Sequence, residues 1–308
     1  MTLNPLLIIL GATASGKTHL AVNLASQLNG EIISADSRQV FKRMDIGTGK
    51  DLNEYHLDGK VIPHHLIDIL EPGERYHVNA FKEDFYRAFQ SISNKGSLPI
   101  LCGGTGMYIH SLLQNQAFTA VPINDTLRQT LELLTKEQLI DHLNNFKVHG
   151  HVDLNSKKRL IRAIEIAEYL KFNTFETIER PDFKPVVFGL RNTVEITRAK
   201  ILKRLDQRLK TGMIEEVKDL LQAGISIEML IFYGLEYKFI AHYLTGMLNF
   251  DELKLKLGTA ICQFAKRQNT FFRKMEKDGV KINWLNAAQE DHVLKNEVMN
   301  QLSIEGVI

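Results

Sequence analysis

Strongly apolar segments of strand length recur along the chain, and amphipathic segments lie between them. An uninterrupted apolar run of about four to eight residues is typical of a strand that is buried on both faces of a parallel sheet. Four runs of strand length are predicted to be strands, at Leu6–Leu10, Glu31–Ser34, Leu98–Cys102 and Pro185–Leu190, and the second is the shortest, with Ile32 and Ile33 as its apolar residues. Apolar residues spaced three or four apart predict helices between the first three runs, at His19–Leu28 and Phe81–Ser93. Alternating strands and helices predict a doubly wound α/β sheet.

A long helical stretch separates the third predicted strand from the fourth. Helical spacing begins near Met107 and continues to about Tyr169. The helices predicted within it are Leu127–Leu134, Lys136–Phe146 and Ser156–Tyr169. Those predicted after the fourth strand are Val194–Ala223, Gly234–Leu244 and Asp251–Glu276. We therefore predict an α/β core made of residues 1–114 and 184–308, interrupted by a helical insertion at residues 115–183.

The length and composition allow one large domain or two smaller domains. Hydrophobic residues make up 44% of the 308 residues and charged residues 24%, which is typical of a globular protein. No apolar run approaches the ~20 residues of a membrane-spanning helix, and we see no secretory signal sequence. Cys102 and Cys262 match no metal-ligand spacing, so we expect reduced thiols in a cytoplasmic protein that binds no membrane.

Basic residues are concentrated in two stretches, although the net charge is only +2. Residues 150–210 contain fourteen Lys or Arg against eight Asp or Glu, and residues 266–281 contain six against two. Separate basic stretches in a nearly neutral chain favour a polyanion-binding face, such as a surface for nucleic acid. Charge alone equally allows ordinary solvated helix faces.

A phosphate-binding motif follows the first predicted strand. Its eight residues are Gly11, Ala12, Thr13, Ala14, Ser15, Gly16, Lys17 and Thr18. They fit the P-loop pattern G-x-x-x-x-G-K-[ST], between the buried strand and the amphipathic helix that this loop requires. Backbone N–H groups of such a loop bind phosphate oxygens, Lys17 adds a positive charge, and the Thr18 hydroxyl can hold Mg²⁺. The predicted fold class is therefore an α/β protein with a P-loop NTPase-like parallel sheet.

The residues that follow the other strands bear on the ligand of this loop. A nucleotide hydrolase normally has a second apolar strand that ends in an Asp for Mg²⁺. Here Glu31–Ser34 leads to Asp36, whereas Leu98–Cys102 leads to Gly103-Gly104-Thr105 without an acid. This pattern weakens the interpretation as a nucleotide kinase or hydrolase and leaves it open.

Seven short segments after the P-loop carry a resemblance to a known family. They are Asp36–Phe41, Met44–Thr48, Pro63–Ile69, Tyr76–Phe81, Gly103–Tyr108, Lys158–Glu165 and Ala265–Arg273. In this order they resemble the tRNA dimethylallyltransferase family over nearly the whole chain, which is far more specific than the P-loop alone. The chain ends before the zinc-finger tail of eukaryotic members would begin, so we expect a bacterial form.

The resemblance implies that the P-loop holds dimethylallyl diphosphate rather than a nucleotide. The dimethylallyl group would pass to N6 of adenine 37, the base next to the anticodon of tRNA, and diphosphate would leave. By resemblance, Asp36 accepts the N6 proton, and Thr105 donates to the bridging oxygen of the diphosphate. Lys17 and Mg²⁺ share the negative charge, and Arg208 clamps the diphosphate, with Arg204 as the second choice. Asp36 as a Mg²⁺ ligand or helix cap, and Thr105 as a turn-capping hydroxyl, stay open as alternatives.

The resemblance also implies that the insertion and two basic strips grip the anticodon stem–loop. The residues assigned to tRNA are Asp36, Ser37, Arg38, Gln39, Thr105, Arg128, Lys158, Arg159, Arg162, Lys266, Arg267, Gln268 and Arg273. Lys158 and Arg162 lie four positions apart on one predicted helix, so they share a face. Phe271 and Phe272 are candidates to stack on bases, with a core position favoured for at least one of them. We expect the protein to act as a monomer.

Three departures from the family pattern bear on the diphosphate partner and on the choice of tRNA. The segment between Arg208 and Gly212 is about four residues shorter than usual, which is one helical turn. Leu235 stands where an aromatic residue usually follows Gly234, and Cys262 stands where the family usually has Arg.

Three rival functions are weighed against this interpretation. An adenylate isopentenyltransferase, which acts on free AMP-type acceptors, would need neither the helical insertion nor the basic strip at residues 266–273. A P-loop nucleotide kinase or hydrolase is disfavoured because the strand before Thr105 lacks the acid. A non-catalytic RNA-binding protein would have no need of Lys17, Thr18, Asp36 and Thr105.

Overall fold

A computed structural model of the chain describes residues 3–114, 116–146, 152–174 and 180–308. The described residues form two compact units. One consists of residues 1–114 and 181–308, and the other of residues 115–180.

The larger unit is built on a six-stranded parallel sheet in the order β5-β2-β6-β1-β7-β8. The strands of this sheet are β1 Asn4–Gly11, β2 Gly30–Ser34, β5 His64–His65, β6 Leu98–Gly103, β7 Phe183–Arg191 and β8 Asn283–Asn286. Two further strands, β3 His56–Leu57 and β4 Lys60–Val61, form a separate short antiparallel hairpin. The central strands β6 and β1 are almost fully buried, and β7 is buried over Val186–Leu190, which explains the apolar sequences of these segments.

Helices cover both faces of this sheet. The helices of the larger unit are α1 Lys17–Gln27, α2 Val78–Asn94, α3 Gly106–Leu113, α7 Val194–Lys210, α8 Met213–Gln222, α9 Ile227–Tyr233, α10 Leu235–Leu244, α11 Phe250–Lys277 and α12 Asp291–Ile304. Alternate residues of β1 face opposite sides: Leu6, Ile8 and Leu10 join the larger core, and Leu7 and Ile9 join the core under α1 and α12. A short 3₁₀ helix, Leu52–Tyr55, lies between β2 and β3.

The smaller unit is helical. Its helices are α4 Asp125–Glu132, α5 Lys136–Asn144 and α6 Lys157–Phe172, preceded by a 3₁₀ turn at Ala117–Ala120. Leucine and isoleucine side chains form its separate core, which consists of Leu131, Leu139, Leu143, Leu160, Ile161 and Ile164. The capping box at Thr135, whose hydroxyl accepts from the N–H of Gln138, fixes where α5 begins.

The predicted strands and the α/β class are confirmed, and the differences have local causes. The stretch predicted as one helix over Val194–Ala223 is two, because Gly212 breaks it with a φ of 107°. The edge strands β5 and β8 were not predicted, because two and four residues carry too little pattern to identify a strand. Among the described residues, none of the helices combines the length and the apolar composition that a membrane span requires.

Candidate active site and nucleic-acid surface

The phosphate-binding loop lies where β1 ends and α1 begins. Gly16, the residue before α1, has a φ of 89°, which favours glycine at that position. Because Gly16 has no side chain, no side-chain acceptor at that position occupies the first N–H groups of the helix. These N–H groups and the positive end of the helix dipole are therefore free to bind an anion.

A small cavity of about 50 Å³ opens beside this loop. The residues that line it are Ala14, Ser15, Gly16, Lys17, Thr18, Gln39, Gly49, Lys50, Asp51, Glu54, Tyr55 and Arg204. The buried hydroxyl of Ser15 has no hydrogen-bond partner among the described residues. A buried polar atom without a partner is costly in a folded protein, so Ser15 Oγ is suited to meet a polar ligand in this cavity.

Lys17 lines this cavity, and the pKa of its ammonium group is shifted. Burial lowers the pKa of Lys17 below its ordinary value, and the nearby carboxylates of Asp36 and Glu54 oppose that shift. The Cys102 thiol lies close to Lys17, and burial raises the pKa of Cys102 to about 12. The thiol is therefore neutral at physiological pH and does not compete with a phosphate for the Lys17 charge.

The ends of β2 and β6 bring Asp36 and Thr105 together. The Thr105 N–H donates to the carbonyl of Ala35 at 3.1 Å, and the N–H of Ser37 donates to Thr105 Oγ1 at 3.2 Å. Asp36 Oδ1 accepts from the N–H groups of Arg38 and Gln39 at 2.8 and 3.3 Å. The described residues provide no hydrogen bond to Asp36 Oδ2, so one carboxylate oxygen is held in place and the other is available for a proton.

Gln268 has a different position from the one predicted. We predicted a contact with tRNA, but this residue of α11 is buried. Its Oε1 accepts from the N–H of Thr13 at 2.9 Å, and its Nε2 donates to the carbonyl of Gly104 at 2.9 Å. Gln268 therefore links the P-loop to the turn before Thr105, and the amide is not free for RNA in this structure.

The two arginines of α7 also differ from expectation. Arg204, our second choice, lines the phosphate cavity, whereas Arg208, our first choice, does not. Arg208 Nη1 lies 3.5 Å from Oε1 of Glu236, and both side chains are mostly buried. Burial lowers the pKa of Arg208 to about 10, helped by the neighbouring Arg204 charge. Because Glu236 takes up the charge of Arg208, the geometry favours Arg204 as the diphosphate ligand.

Exposed cations on α11 form one basic surface. Lys266, Arg267 and Arg273 are exposed, and none of them forms an ion pair within the described part of the chain. Phe272 is fully buried in the core, and Phe271 is half-buried against α3. The alternative of a core position is therefore confirmed for Phe272, and the three cations remain candidates to contact phosphates.

Two of the arginines predicted to bind tRNA instead hold the helical unit together. Arg128 Nε and Nη2 donate to the two oxygens of the buried Glu165 carboxylate at 2.9 and 2.8 Å. Arg162 pairs with the same carboxylate. Arg162 also donates to backbone carbonyls, those of Phe118, Val121 and Pro122. These guanidinium groups are engaged inside the protein, unlike the exposed Lys158.

The remaining candidates of the two units are more accessible. Arg159 is exposed and pairs with Asp153, so it would exchange one partner for a phosphate. The Arg38 guanidinium carbon lies 5.6 Å from the ring centre of Phe232, whose side chain is 45% exposed. A second guanidinium, that of Arg75, lies 5.1 Å from the same ring centre. Arginines stacked on an exposed aromatic ring near Asp36 are suited to contact RNA bases and phosphates.

Sequence reasoning missed the acidic wall of the cavity. Asp51 and Glu54 line it together with the P-loop, and burial raises the pKa of Glu54, with the charge of Asp51 adding to the shift. Both residues follow a segment that the resemblance did cover, Met44–Thr48, but no motif assigned them a role. Only their proximity to Lys17 and Arg204 in the folded chain identifies them.

Two family models match the chain. The model described as IPP transferase matches residues 39–275. The model described as isopentenyl transferase matches residues 4–60. Together they cover the P-loop, the Asp36 and Thr105 turns, the basic stretch at residues 150–210 and residues 266–275 of the second basic stretch.

Curated relatives match over nearly their whole length. The chain is 50% identical over 293 residues to tRNA dimethylallyltransferase 2 of Phocaeicola vulgatus, which covers 94% of this chain and 95% of that relative. It is 48% identical over 283 residues to tRNA dimethylallyltransferase 1 of Parabacteroides distasonis, with 92% of each chain covered. Both relatives are bacterial, as the sequence predicted.

Solved structures share the fold. A tRNA delta(2)-isopentenylpyrophosphate transferase from Staphylococcus epidermidis matches with a TM-score of 0.70 and 30% identity, over 98% of this chain and 100% of that one. A eukaryotic dimethylallyltransferase, described as acting on tRNA, matches with a TM-score of 0.76 over 98% of this chain and 79% of that one. At 24% identity, this second likeness shows the fold alone.

Proposed function

Because the chain belongs to the IPP transferase family, we propose that it transfers a dimethylallyl group from dimethylallyl diphosphate to an adenine of tRNA. The acceptor atom is N6 of adenine 37, next to the anticodon, and diphosphate is released. The observation that carries the proposal is the contact between the Asp36 and Thr105 turns beside a P-loop cavity. One edge of the sheet thereby offers a phosphate-binding loop, a carboxylate and a hydroxyl.

Asp36 serves as the general base in this reaction. The exocyclic N6 is a weak nucleophile, because its lone pair is delocalised into the adenine ring. The lone pair forms a bond to C1 of the dimethylallyl group as the C1–O bond to diphosphate breaks, and the bonding pair leaves with the diphosphate oxygen. N6 then carries an extra proton, which Asp36 Oδ2 accepts. Such a base contributes about 10²–10⁴-fold to the rate.

The P-loop and its neighbours stabilise the charge that builds on the diphosphate. An anion in the cavity would be bound by the N–H groups at the start of α1, by Lys17 and by the buried Ser15 hydroxyl. Arg204 adds a second positive charge from α7. The Thr105 hydroxyl accepts from Ser37, so its own hydrogen is free to donate to the departing oxygen. Interactions that strengthen as the bond breaks are the ones that accelerate the reaction.

The cavity also fits a magnesium ion. Thr18 lines it and offers one hydroxyl oxygen, while the described residues contain no cluster of three His, Cys, Asp or Glu side chains that would form an all-protein metal site. Mg²⁺ in phosphate sites typically takes most of its ligands from phosphate oxygens and water. Thr18 would hold the ion, and the bound ion would supply Lewis-acid neutralisation of the diphosphate charge.

The exposed cations provide a surface for the anticodon stem–loop. Lys266, Arg267 and Arg273 on α11 and Lys158 and Arg159 on α6 are the candidates. The helical unit at residues 115–180 would contribute its cations to the RNA. As tRNA is a cytoplasmic molecule, we propose the cytoplasm as the place of action.

One assay tests the acceptor and the donor together. The protein is incubated with dimethylallyl diphosphate, Mg²⁺ and either an anticodon stem–loop or AMP, and prenylated adenine is measured by mass spectrometry. We expect product on the stem–loop and little on AMP. Prenylated AMP in larger yield would favour the adenylate isopentenyltransferase. In a parallel incubation with ATP and Mg²⁺, turnover of ATP to ADP by a protein that transfers no prenyl group would favour the kinase or hydrolase.

A further inference from the structure

Glu216 on α8 receives an unusual number of hydrogen bonds for a residue outside the cavity. Its Oε2 accepts from the N–H groups of Asp45 and Ile46 at 2.8 and 2.6 Å. Its Oε1 accepts from the N–H of Gly47 at 3.0 Å and from the Tyr237 hydroxyl at 2.8 Å. One carboxylate thus satisfies three successive backbone donors of a loop, which we call loop 45–50.

The other end of loop 45–50 is held by a buried lysine. The Lys50 ammonium group is fully buried and donates to the carbonyl of Phe41 at 2.8 Å and to Asp45 Oδ1 at 2.6 Å. It also pairs with Asp68. A buried ammonium group requires such partners, because an unpaired charge in the interior is very costly. The loop is therefore fixed at both ends.

Between these two ends, Gly49 contacts the arginines of α7. The Gly49 carbonyl accepts from Arg204 Nη2 at 3.1 Å and from Gln39 Nε2 at 3.4 Å. A Cβ atom at Gly49 would lie only 2.5 Å from Arg204 Nη2 and still closer to Arg208 Nη2. Gly49 and Lys50 also line the phosphate cavity. The position of loop 45–50 therefore sets where Arg204 lies relative to that cavity.

We propose that Glu216 is a positioning residue for the donor site: it holds loop 45–50 so that Gly49 orients Arg204 toward the diphosphate. Glu216 does not line the cavity, so its effect passes through the loop. The inference rests on the proposed donor, dimethylallyl diphosphate. A glutamine at this position would offer one acceptor oxygen and one NH₂ group. That NH₂ group would face hydrogen-bond donors, so about half of the hydrogen bonds that hold the loop would be lost.

The test is equilibrium binding of dimethylallyl diphosphate to Glu216→Gln in the presence of Mg²⁺ and without RNA. We expect the Kd to rise about 10- to 100-fold, as is typical when a ligand loses one hydrogen bond to a charged group. The stem–loop Kd should be unchanged, and the KM for the donor should rise more than kcat falls. The matched control is Glu215→Gln, the exposed neighbour on the same helix, which should bind the donor like wild type.

A double-mutant cycle separates positioning from a general loss of structure. Arg204→Lys weakens donor binding by itself, and adding Glu216→Gln should weaken it little further, because both changes remove the same contact. If Glu216→Gln does not fold, Tyr237→Phe removes one of the four hydrogen bonds and should give a smaller rise in the donor Kd. Donor affinity within about twofold of wild type in the tested variant, or fully additive effects in the cycle, would overturn the proposal. Donor binding without RNA is independent of the acceptor, so a wild type that binds the donor but prenylates no stem–loop would count against the proposed function alone.

Discussion

The hydroxyl of Thr105 accepts a hydrogen bond from the backbone N–H of Ser37, with 3.2 Å between the two heavy atoms. Ser37 directly follows Asp36, and the N–H of Thr105 returns a hydrogen bond to Ala35. The two turns are therefore locked together on both sides of Asp36. A shift of either turn would move the proposed base and the proposed donor to the leaving oxygen at the same time.

Thr105→Val should lower the single-turnover rate of prenyl transfer by about 10²–10³-fold, the usual effect of removing one donor to a developing negative charge. Thr105→Ser keeps the hydroxyl and should stay within a few-fold of wild type. A single-turnover assay with saturating substrates measures both. A valine variant as fast as the serine variant would show that the hydroxyl only caps the turn.

Arg204 and Arg208 should differ when each is changed to lysine. Arg204→Lys should raise the Kd for dimethylallyl diphosphate by about tenfold or more, since lysine lacks the planar fork of donors. Arg208→Lys keeps a cation beside Glu236 and should bind the donor nearly as wild type does. Isothermal titration gives both constants. A larger rise in the Kd for Arg208→Lys than for Arg204→Lys would instead identify Arg208 as the diphosphate ligand.

The α11 cations should account for part of the salt dependence of RNA binding. We expect weaker stem–loop binding when Lys266, Arg267 and Arg273 are changed to Ala. The slope of log K against log salt should also become less steep by about 2, since each of three phosphate contacts on a single strand contributes about 0.7. The control has alanines at three other exposed lysines, Lys218 on α8 and Lys254 and Lys256 near the start of α11, and should leave the slope unchanged. Equal slopes for wild type and the α11 variant would exclude this surface from the RNA interface.

Glu165→Gln should destabilise the helical unit. Burial raises the pKa of Glu165, but the hydrogen bonds from Arg128 and Arg162 outweigh it and hold that pKa below the ordinary value. The stabilisation is therefore fully present above the ordinary glutamate pKa and is lost as pH falls through the lower, folded-state pKa. We expect a loss of about 1–3 kcal/mol in the free energy of unfolding at neutral pH. The difference from wild type should shrink in acid.

Denaturant unfolding at several pH values checks this expectation. Glu168→Gln, three residues along α6, serves as the control, because Glu168 is only half-buried and has His142 as a partner at 3.4 Å. A difference that stayed constant from neutral pH to acid would contradict the role of the Glu165 charge.

The sequence predicted those parts of the molecule that rest on local pattern or on ordered motifs. The central strands, the helical insertion and the P-loop were visible because buried strands, three-to-four spacing and the Gly-Lys-Thr signature each follow from short-range constraints. The roles of Gln268 and Glu165, and the preference for Arg204 over Arg208, were not visible, since each depends on contacts between residues far apart in the chain. Gln268 accepts a hydrogen bond from Thr13 of the P-loop, which is 255 positions away in the chain, and no local sequence pattern predicts such a contact.

The measurement that tests the account most directly is the single-turnover rate of prenyl transfer to a stem–loop by Asp36→Asn. The account predicts a rate about 10²–10⁴-fold below wild type, because asparagine cannot accept the N6 proton. Binding of dimethylallyl diphosphate and of the stem–loop, measured separately, should be retained, since the asparagine oxygen can still accept from the N–H groups of Arg38 and Gln39. A rate within about threefold of wild type would contradict the role of Asp36 as the base.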